Sequence, residues 1–260
     1  MKLERHYVEK PWGHTRLPPM FDPPIGERIG EVWFTASADL PLLAKYIFTS
    51  EPLSIQVHPN DEQARLRGLD RGKSECWFIV DAEPGATLGL GLKHAVTKAE
   101  LRAAALDGSI EQLMDRRPVA AGDFVFVPSG TIHAIGAGIS LLEFQQNSDV
   151  TYRLYDYGRP RELHLDDGVK VSAAIPFPDG LVQHLSPTEQ RELVDGPHFT
   201  LLHAREDALQ DQLRWIMPLG GTVRSGEDVA SAGECLLLEP GETLESRDAW
   251  MLIGATATRS

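Results

Sequence analysis

Cysteine is almost missing from this chain: Cys76 and Cys235 are the only two in 260 residues, and they stand in no paired motif. That argues against a disulfide framework and makes a reducing cytoplasm the expected compartment. Nor is there a run of the roughly 18 apolar residues that a membrane span needs. The N-terminal Met1-Lys2-Leu3-Glu4-Arg5-His6 carries no apolar signal core, so neither secretion nor membrane insertion is expected. Positive charge is in deficit, with 25 Lys and Arg against 38 Asp and Glu and a formal net charge of -13. Nucleic acid is thereby disfavoured as a partner, because phosphate backbones require clustered cations. An anionic small substrate would have to be met by local Lys and Arg.

What is present begins with Gly122-Asp123-Phe124-Val125-Phe126-Val127-Pro128-Ser129-Gly130-Thr131-Ile132-His133. Phe124 to Val127 read as a short strand, Pro128-Ser129-Gly130 turns it, and His133 emerges on the returning strand facing inward. A neutral imidazole there is a natural divalent-metal ligand. Upstream, in Ser54-Ile55-Gln56-Val57-His58-Pro59, Gln56 and His58 alternate with apolar residues and so share one face of a strand. Glu75 opens the apolar strand Cys76-Trp77-Phe78-Ile79-Val80, where a carboxylate needs a compensating cation. Gln56, His58, Glu75 and His133 together make an N/O ligand set that suits zinc, manganese or iron, with room left for water or substrate. Gln56 has the alternative of orienting a neighbour, since an amide oxygen is a weak donor. His94, His164, His184, His198 and His203 have no ligand-like spacing.

Cations accompany this set. Lys73, two residues before Glu75, shares its face if the strand extends that far. Arg153, Arg159 and Arg161 follow within one short stretch. A guanidinium can grip a phosphate bidentately, whereas a lysine acts as a flexible point charge. The competing reading is a solvated ion pair, Arg153 with Asp156 or Arg161 with Glu162.

Along the chain, short strands alternate with Pro and Gly turns, the pattern of a sandwich or jelly roll. Asn60 predicts a capped helix to Arg67, Thr97-Lys98-Ala99-Glu100 is a capping box before Leu101 to Leu106, and a further helix is expected from Ser109 to Arg116. Trp12 and Trp33 read as core aromatics. Ala174 to Gly180 is the expected linker, and Ser186-Pro187-Thr188-Glu189 is expected to cap a helix to about Val194. Strands are expected at Phe199 to His203, Leu213 to Leu219, Glu234 to Leu238 and Trp250 to Ile253. Gly233 to Gly241 repeats the rhythm of the metal hairpin without a following His.

Six segments, in order from about residue 7 to residue 165, carry a resemblance. They are Lys10-Pro11-Trp12-Gly13, Gly30-Glu31-Val32-Trp33, Gln56-Val57-His58-Pro59-Asn60-Asp61, Gly72-Lys73-Ser74-Glu75-Cys76-Trp77, Pro128-Ser129-Gly130-Thr131-Ile132-His133-Ala134 and Gln145-Gln146-Asn147-Ser148-Asp149-Val150-Thr151-Tyr152-Arg153. The chain thus resembles the type I mannose-6-phosphate isomerases in their short bacterial form. The resemblance implies a mainly β fold: a cupin (jelly-roll) barrel with a few short helices over residues 1–175 and a second, degenerate cupin-like β domain over 176–260. It also implies one Zn2+ held by His58, Glu75 and His133 with Gln56, and an active-site role for Arg153. The implied reaction interconverts mannose 6-phosphate and fructose 6-phosphate through a cis-enediol, with Lys73 anchoring phosphate or shuttling a proton.

Such chemistry requires a base. Glu143, which interrupts the apolar run Ile139 to Phe144, is a candidate; it has the alternative of pairing with Lys73 or Arg153. Asp149 and Tyr152 are other candidates. Two readings from other classes stay open at this point, a metal cupin oxygenase and a non-catalytic sugar-binding cupin. The chain departs from the usual cupin ending in having Ala137 where an Asn follows the hairpin His. It also leaves little room for the extra helical domain of longer isomerases.

Overall fold

The computed structural model describes residues 1–186 and 189–257 and is built mainly of antiparallel strands with short helices. The chain forms two compact units, residues 47–184 and residues 1–46 joined by 185–260. Among the described residues no helix is long and apolar enough to cross a membrane.

Within unit 47–184 the strands Ile139–Gln146, Glu75–Ala82, Asp123–Val127 and Val182–His184 lie side by side in that order. A second sheet runs Tyr152–Tyr155, Ile55–Val57, His133–Ile135, Thr87–Leu92 and Met114–Pro118. Period-2 alternation decides what faces inward: from Glu75 to Ile79 every second residue is fully buried on one face. A separate apolar cluster built on Leu101, Ala105, Ile110, Met114 and Ile132 packs the helices against the second sheet.

The helix starts follow capping chemistry. Asn60 and Gln63 form a complete capping box for Asp61–Arg65, as do Thr97 and Glu100 for Lys98–Asp107, which ends at a left-handed Gly108. The helix expected from Ser109 to Arg116 is shorter, Ile110–Leu113, because Met114 enters the ladder opposite Leu92 and begins the strand Met114–Pro118. Apolar spacing at Ile110, Leu113 and Met114 was therefore shared between one helical turn and a strand, and tertiary pairing decided the rest.

The segment Ala174 to Gly180 does not lead out of this unit. Ile175 O accepts from Leu92 N, Ala174 O accepts from Val96 N, and Phe177 is buried. The chain then adds Val182–His184 to the edge of Asp123–Val127. This compact unit ends at residue 184.

The other unit contains the strands Glu4–His14, Ile29–Thr35 and the start of Leu42–Thr49. It also contains a sheet ordered Arg191–Asp195, Phe199–Ala204, Glu245–Thr256, Arg214–Ser225 and Asp228–Ser231, with Leu236–Leu238 pairing Arg214–Ser225. Residues 1–46 belong here because the N-terminus joins these strands: Met1 N donates to Leu237 O and Leu3 N to Cys235 O. The expected capping residues Pro187 and Thr188 lie outside the described residues. The described part of that expected helix is the strand Arg191–Asp195, which pairs with Phe199–Ala204 and buries Leu193 and Val194 about an irregular register. Trp12 is buried as expected, while Trp33 is half-buried and donates its indole N–H to Glu31 at 2.5 Å.

Candidate metal centre

Three of the expected ligands come together. His58, Glu75 and His133 are all buried, and one donor atom of each lies within 4.8 Å of the others. His133 sits directly opposite Gln56 on the neighbouring strand, and His58 follows the same strand. Glu75 comes from the other sheet, so the three side chains converge between the two sheets of one unit. The hairpin that delivers His133 is tied to both partners. Gly130, at φ 86°, donates its N–H to His58 O at 2.8 Å, and Ser129 N–H donates to Ser74 Oγ at 3.2 Å. The turn requires a glycine there because L side chains rarely adopt that backbone.

Both imidazoles are preset as ligands. His58 Nδ1 donates to Val150 O at 2.8 Å and His133 Nδ1 to Thr131 O at 3.0 Å, which leaves each Nε2 lone pair facing Glu75. The Nε2 atoms stand 3.4 and 3.2 Å from the Glu75 oxygens. Burial, reinforced by the charge of Lys73, pushes the His58 pKa down to about 3, and burial likewise lowers that of His133. Both rings are therefore neutral near pH 7, the form that binds metal. Burial works against ionisation of Glu75, but Lys73, followed by the two histidines, outweighs it and holds the carboxyl well below its ordinary range. Cys76 next door is held as a thiol by burial and points to the opposite face, so sulfur takes no part.

Lys73 is the fourth member. Its Nζ is 2.8 Å from Glu75 Oε2, 3.2 Å from His58 Nε2 and 3.6 Å from Glu143 Oε1. Glu143 and Gln145, at i and i+2 on Ile139–Gln146, face the same interior, with Gln145 opposite Glu75. Gln145 was not foreseen as part of the site, although its alternation with Glu143 was a readable signal. Its Nε2 donates to Gln146 O and Ser148 O, while its buried Oε1 has no donor. Gln56 Nε2 lies 3.2 Å from His133 Nε2, and its Oε1 accepts from Ser54 Oγ at 3.0 Å. In this rotamer Gln56 orients a ligand, and turning the amide over would present its oxygen instead.

Arg153 stands opposite Gln56 and hence on the same face, but its Nε donates to Glu162 O at 2.9 Å and not to the cluster. Of the other candidate bases, Asp149 is exposed and Tyr152 is buried against His164. Arg159 and Arg161 bind Asp156.

The residues fit a divalent ion. Glu75 Oε2 is buried close to Lys73, yet no donor is aligned on it as a hydrogen bond. A buried anion and two imidazole nitrogens brought within reach of one another match the preferences of a borderline cation, which would take the place of the Lys73 and Gln56 donors now facing the two rings. Gly72 supports this geometry by close approach: a Cβ there would stand 2.4 Å from both Pro59 O and Asn60 C, just after His58. Gly72→Ala must push Lys73 away from His58, so it is expected to cost about 1–3 kcal/mol of stability and to weaken metal binding together. Urea denaturation and a metal titration of the same sample check both.

The arrangement defines a cupin-type β protein with a buried His/His/Glu cluster that could hold a metal ion. No family model matches the chain. Among curated proteins it is 46% identical over 151 residues to mannose-6-phosphate isomerase ManA of Bacillus subtilis, covering 55% of this chain and 48% of that one. It is 41% identical over 175 residues to mannose-6-phosphate isomerase of Streptococcus mutans, covering 64% and 54% respectively. The chain therefore spans about half the length of the curated relatives it matches. Among solved structures, mannose 6-phosphate isomerase from Bacillus subtilis superposes with a TM-score of 0.80 at 27% identity, over 97% of this chain and 98% of that one. A phosphomannose isomerase from Salmonella typhimurium shares the fold at 15% identity, with a TM-score of 0.73 over 99% of each chain. Over this region the chain is similar in sequence and in fold to mannose-6-phosphate isomerases.

Proposed function

We propose that this protein interconverts mannose 6-phosphate and fructose 6-phosphate in the cytoplasm, using one zinc ion. The observation that carries the reading is Lys73, a buried cation within 3.2 Å of one metal-ligand histidine and 2.8 Å of the ligand carboxylate. Besides holding Glu75 ionised, a cation there can meet negative charge that develops on a sugar oxygen. His58, Glu75 and His133 would hold the ion, with Gln56 as a fourth donor if its amide turns over. Bound there, it supplies Lewis-acid stabilisation of negative charge on the sugar oxygens.

The protein's own groups do the rest. Isomerisation is redox-neutral: the proton removed from C2 returns to C1, and a second proton passes from O2 to O1. Glu143, with Lys73 Nζ at 3.6 Å, takes and returns the carbon-bound proton. Lys73 Nζ, 2.8 Å from the Glu75 carboxylate, serves the transfer of the oxygen-bound proton. Arg153 adds positive charge on the same face, where the anionic substrate approaches. Residues 47–184 carry this chemistry, and the C-terminal strands form a degenerate second cupin with a structural role.

The test is a coupled assay of the purified protein with mannose 6-phosphate, run as isolated, after chelation and after zinc is restored. Chelation is expected to remove turnover and zinc to return it. A protein that holds stoichiometric metal but forms no fructose 6-phosphate would sink the assignment and leave an oxygenase or a silent sugar-binding cupin to be assayed.

A further inference from the structure

After the strand that lies opposite Gln56, the turn following Tyr152–Tyr155 gathers two guanidiniums around one carboxylate. Asp156 is 2% exposed. Its Oδ1 accepts from Arg159 Nε at 3.1 Å and Nη2 at 2.8 Å, and from Arg161 Nη2 at 2.7 Å. Its Oδ2 accepts from Arg161 Nε at 2.6 Å. Arg159 is then used up, since Nη2 also donates to Pro52 O, Nη1 faces Glu51 at 3.9 Å, and the guanidinium lies over the Tyr157 ring.

Arg161 and Arg153 are engaged on one side only. Arg161 spends Nε and Nη2 on Asp156, and Arg153 spends Nε on Glu162 O. Among the described residues, Nη1 of Arg161 and both Nη atoms of Arg153 have no protein partner. The two arginines are neighbours: Arg153 N donates to His164 Nδ1 and Arg153 O accepts from His164 N, so residues 162–164 run alongside Arg153. Burial and then the charge of Arg161 lower the basicity of Arg153, with Asp156 and Glu162 opposing. Asp156 lies between two guanidiniums with Arg153 close by, and the other carboxylates near them are Glu51, 3.9 Å from Arg159, and Glu162 beside Arg153. Such one-sided forks match the oxygens of a phosphate.

We propose that Arg161 and Arg153 form the seat for the substrate's phosphate group and that Asp156 is the positioning residue that holds Arg161 in it. This rests on the sugar-phosphate reading above, and Arg153 lies opposite Gln56 on the metal-bearing face. Asp156 acts through geometry against its own charge. Its carboxylate repels phosphate, but without it the Arg161 fork is released.

The test uses the full, zinc-loaded chain as wild type, Arg161→Gln, Arg161→Lys and Asp156→Asn. Two quantities are read: KM and kcat for mannose 6-phosphate, and binding of inorganic phosphate by calorimetry. Arg161→Gln is expected to raise KM about tenfold, to weaken inorganic phosphate by a similar factor and to change kcat less. Arg161→Lys should recover part of the loss, because it restores charge without the fork. Asp156→Asn should weaken phosphate even though the site becomes more positive; tighter phosphate binding would overturn the positioning role. If Asp156→Asn does not fold, the two Arg161 variants still decide the seat, and unchanged KM and phosphate affinity in Arg161→Gln would overturn it. A wild-type protein without isomerase activity whose phosphate binding is lost in Arg161→Gln would keep the seat and remove only the assigned reaction.

Discussion

Glu75→Gln is expected to empty the metal centre and stop turnover. The substitution keeps the shape of the side chain and removes one charge, so packing is not what changes. Glu75 is 1% exposed and, among the described residues, supplies the carboxylate within reach of both histidines. Outer-shell partners of metal ligands are worth about 10–100-fold in affinity, and loss of the anionic ligand itself should exceed the upper end of that range. Lys73 makes the loss larger. With Glu75 anionic, its ammonium has a partner at 2.8 Å; with an amide there, the remaining carboxylate is Glu143 at 3.6 Å. Breaking a buried pair from one side costs about 3–5 kcal/mol, and sharing with Glu143 places this case at the lower end. Metal content after gel filtration, with melting followed with and without chelator, checks both parts. A variant that keeps a full equivalent of metal would show that Glu75 is not a ligand.

Arg214→Met is expected to cost about 3–5 kcal/mol of stability in the unit that holds the C-terminal strands. Arg214 is fully buried, and its volume is one that methionine partly fills. Its guanidinium joins Asp207 Oδ2 through Nε at 2.7 Å and Nη2 at 2.6 Å. It also donates to the carbonyls of Gln210, Gln212, Glu239 and Glu242. One side chain thus closes the loop before Arg214–Ser225 onto the turn after Leu236–Leu238. Removing it strands a nearly buried carboxylate and several carbonyls at once, each of which costs free energy when left without a donor. Adding Asp207→Leu should return part of the loss by removing the stranded charge, but not the part due to the carbonyls. Urea unfolding of the two variants against wild type measures both terms, and a midpoint unchanged by Arg214→Met would contradict the argument.

The buried cluster of His58, Glu75 and His133 was legible in the sequence for a simple geometric reason. Strand side chains repeat every two residues, so a polar residue placed between apolar ones must point where the apolar ones do not. Gln56 and His58 met that pattern, whereas Glu75 shares its face with Trp77 and Ile79 and stood out as a lone charge opening an apolar strand. Helix starts at Asn60 and Thr97 were legible because capping is local chemistry. Elements whose local signal was weak or shared were misjudged. Ser109 to Arg116 gave up its last turn to pairing with Thr87–Leu92, and Arg191–Asp195 became a strand because Phe199–Ala204 offered it a partner.

By itself, the sequence determined the ligand types, their order, the helix caps and the predominance of strands, all of which depend on residues near one another in the chain. Tertiary structure alone decided that Gln145 lies opposite Glu75, that Asp156 gathers Arg159 and Arg161, and that Met1 to Leu3 join Cys235 to Leu237. Such contacts depend on which strands become neighbours and in what register. That choice minimises buried apolar exposure and unpaired backbone groups over a whole unit, so no local window of residues encodes it.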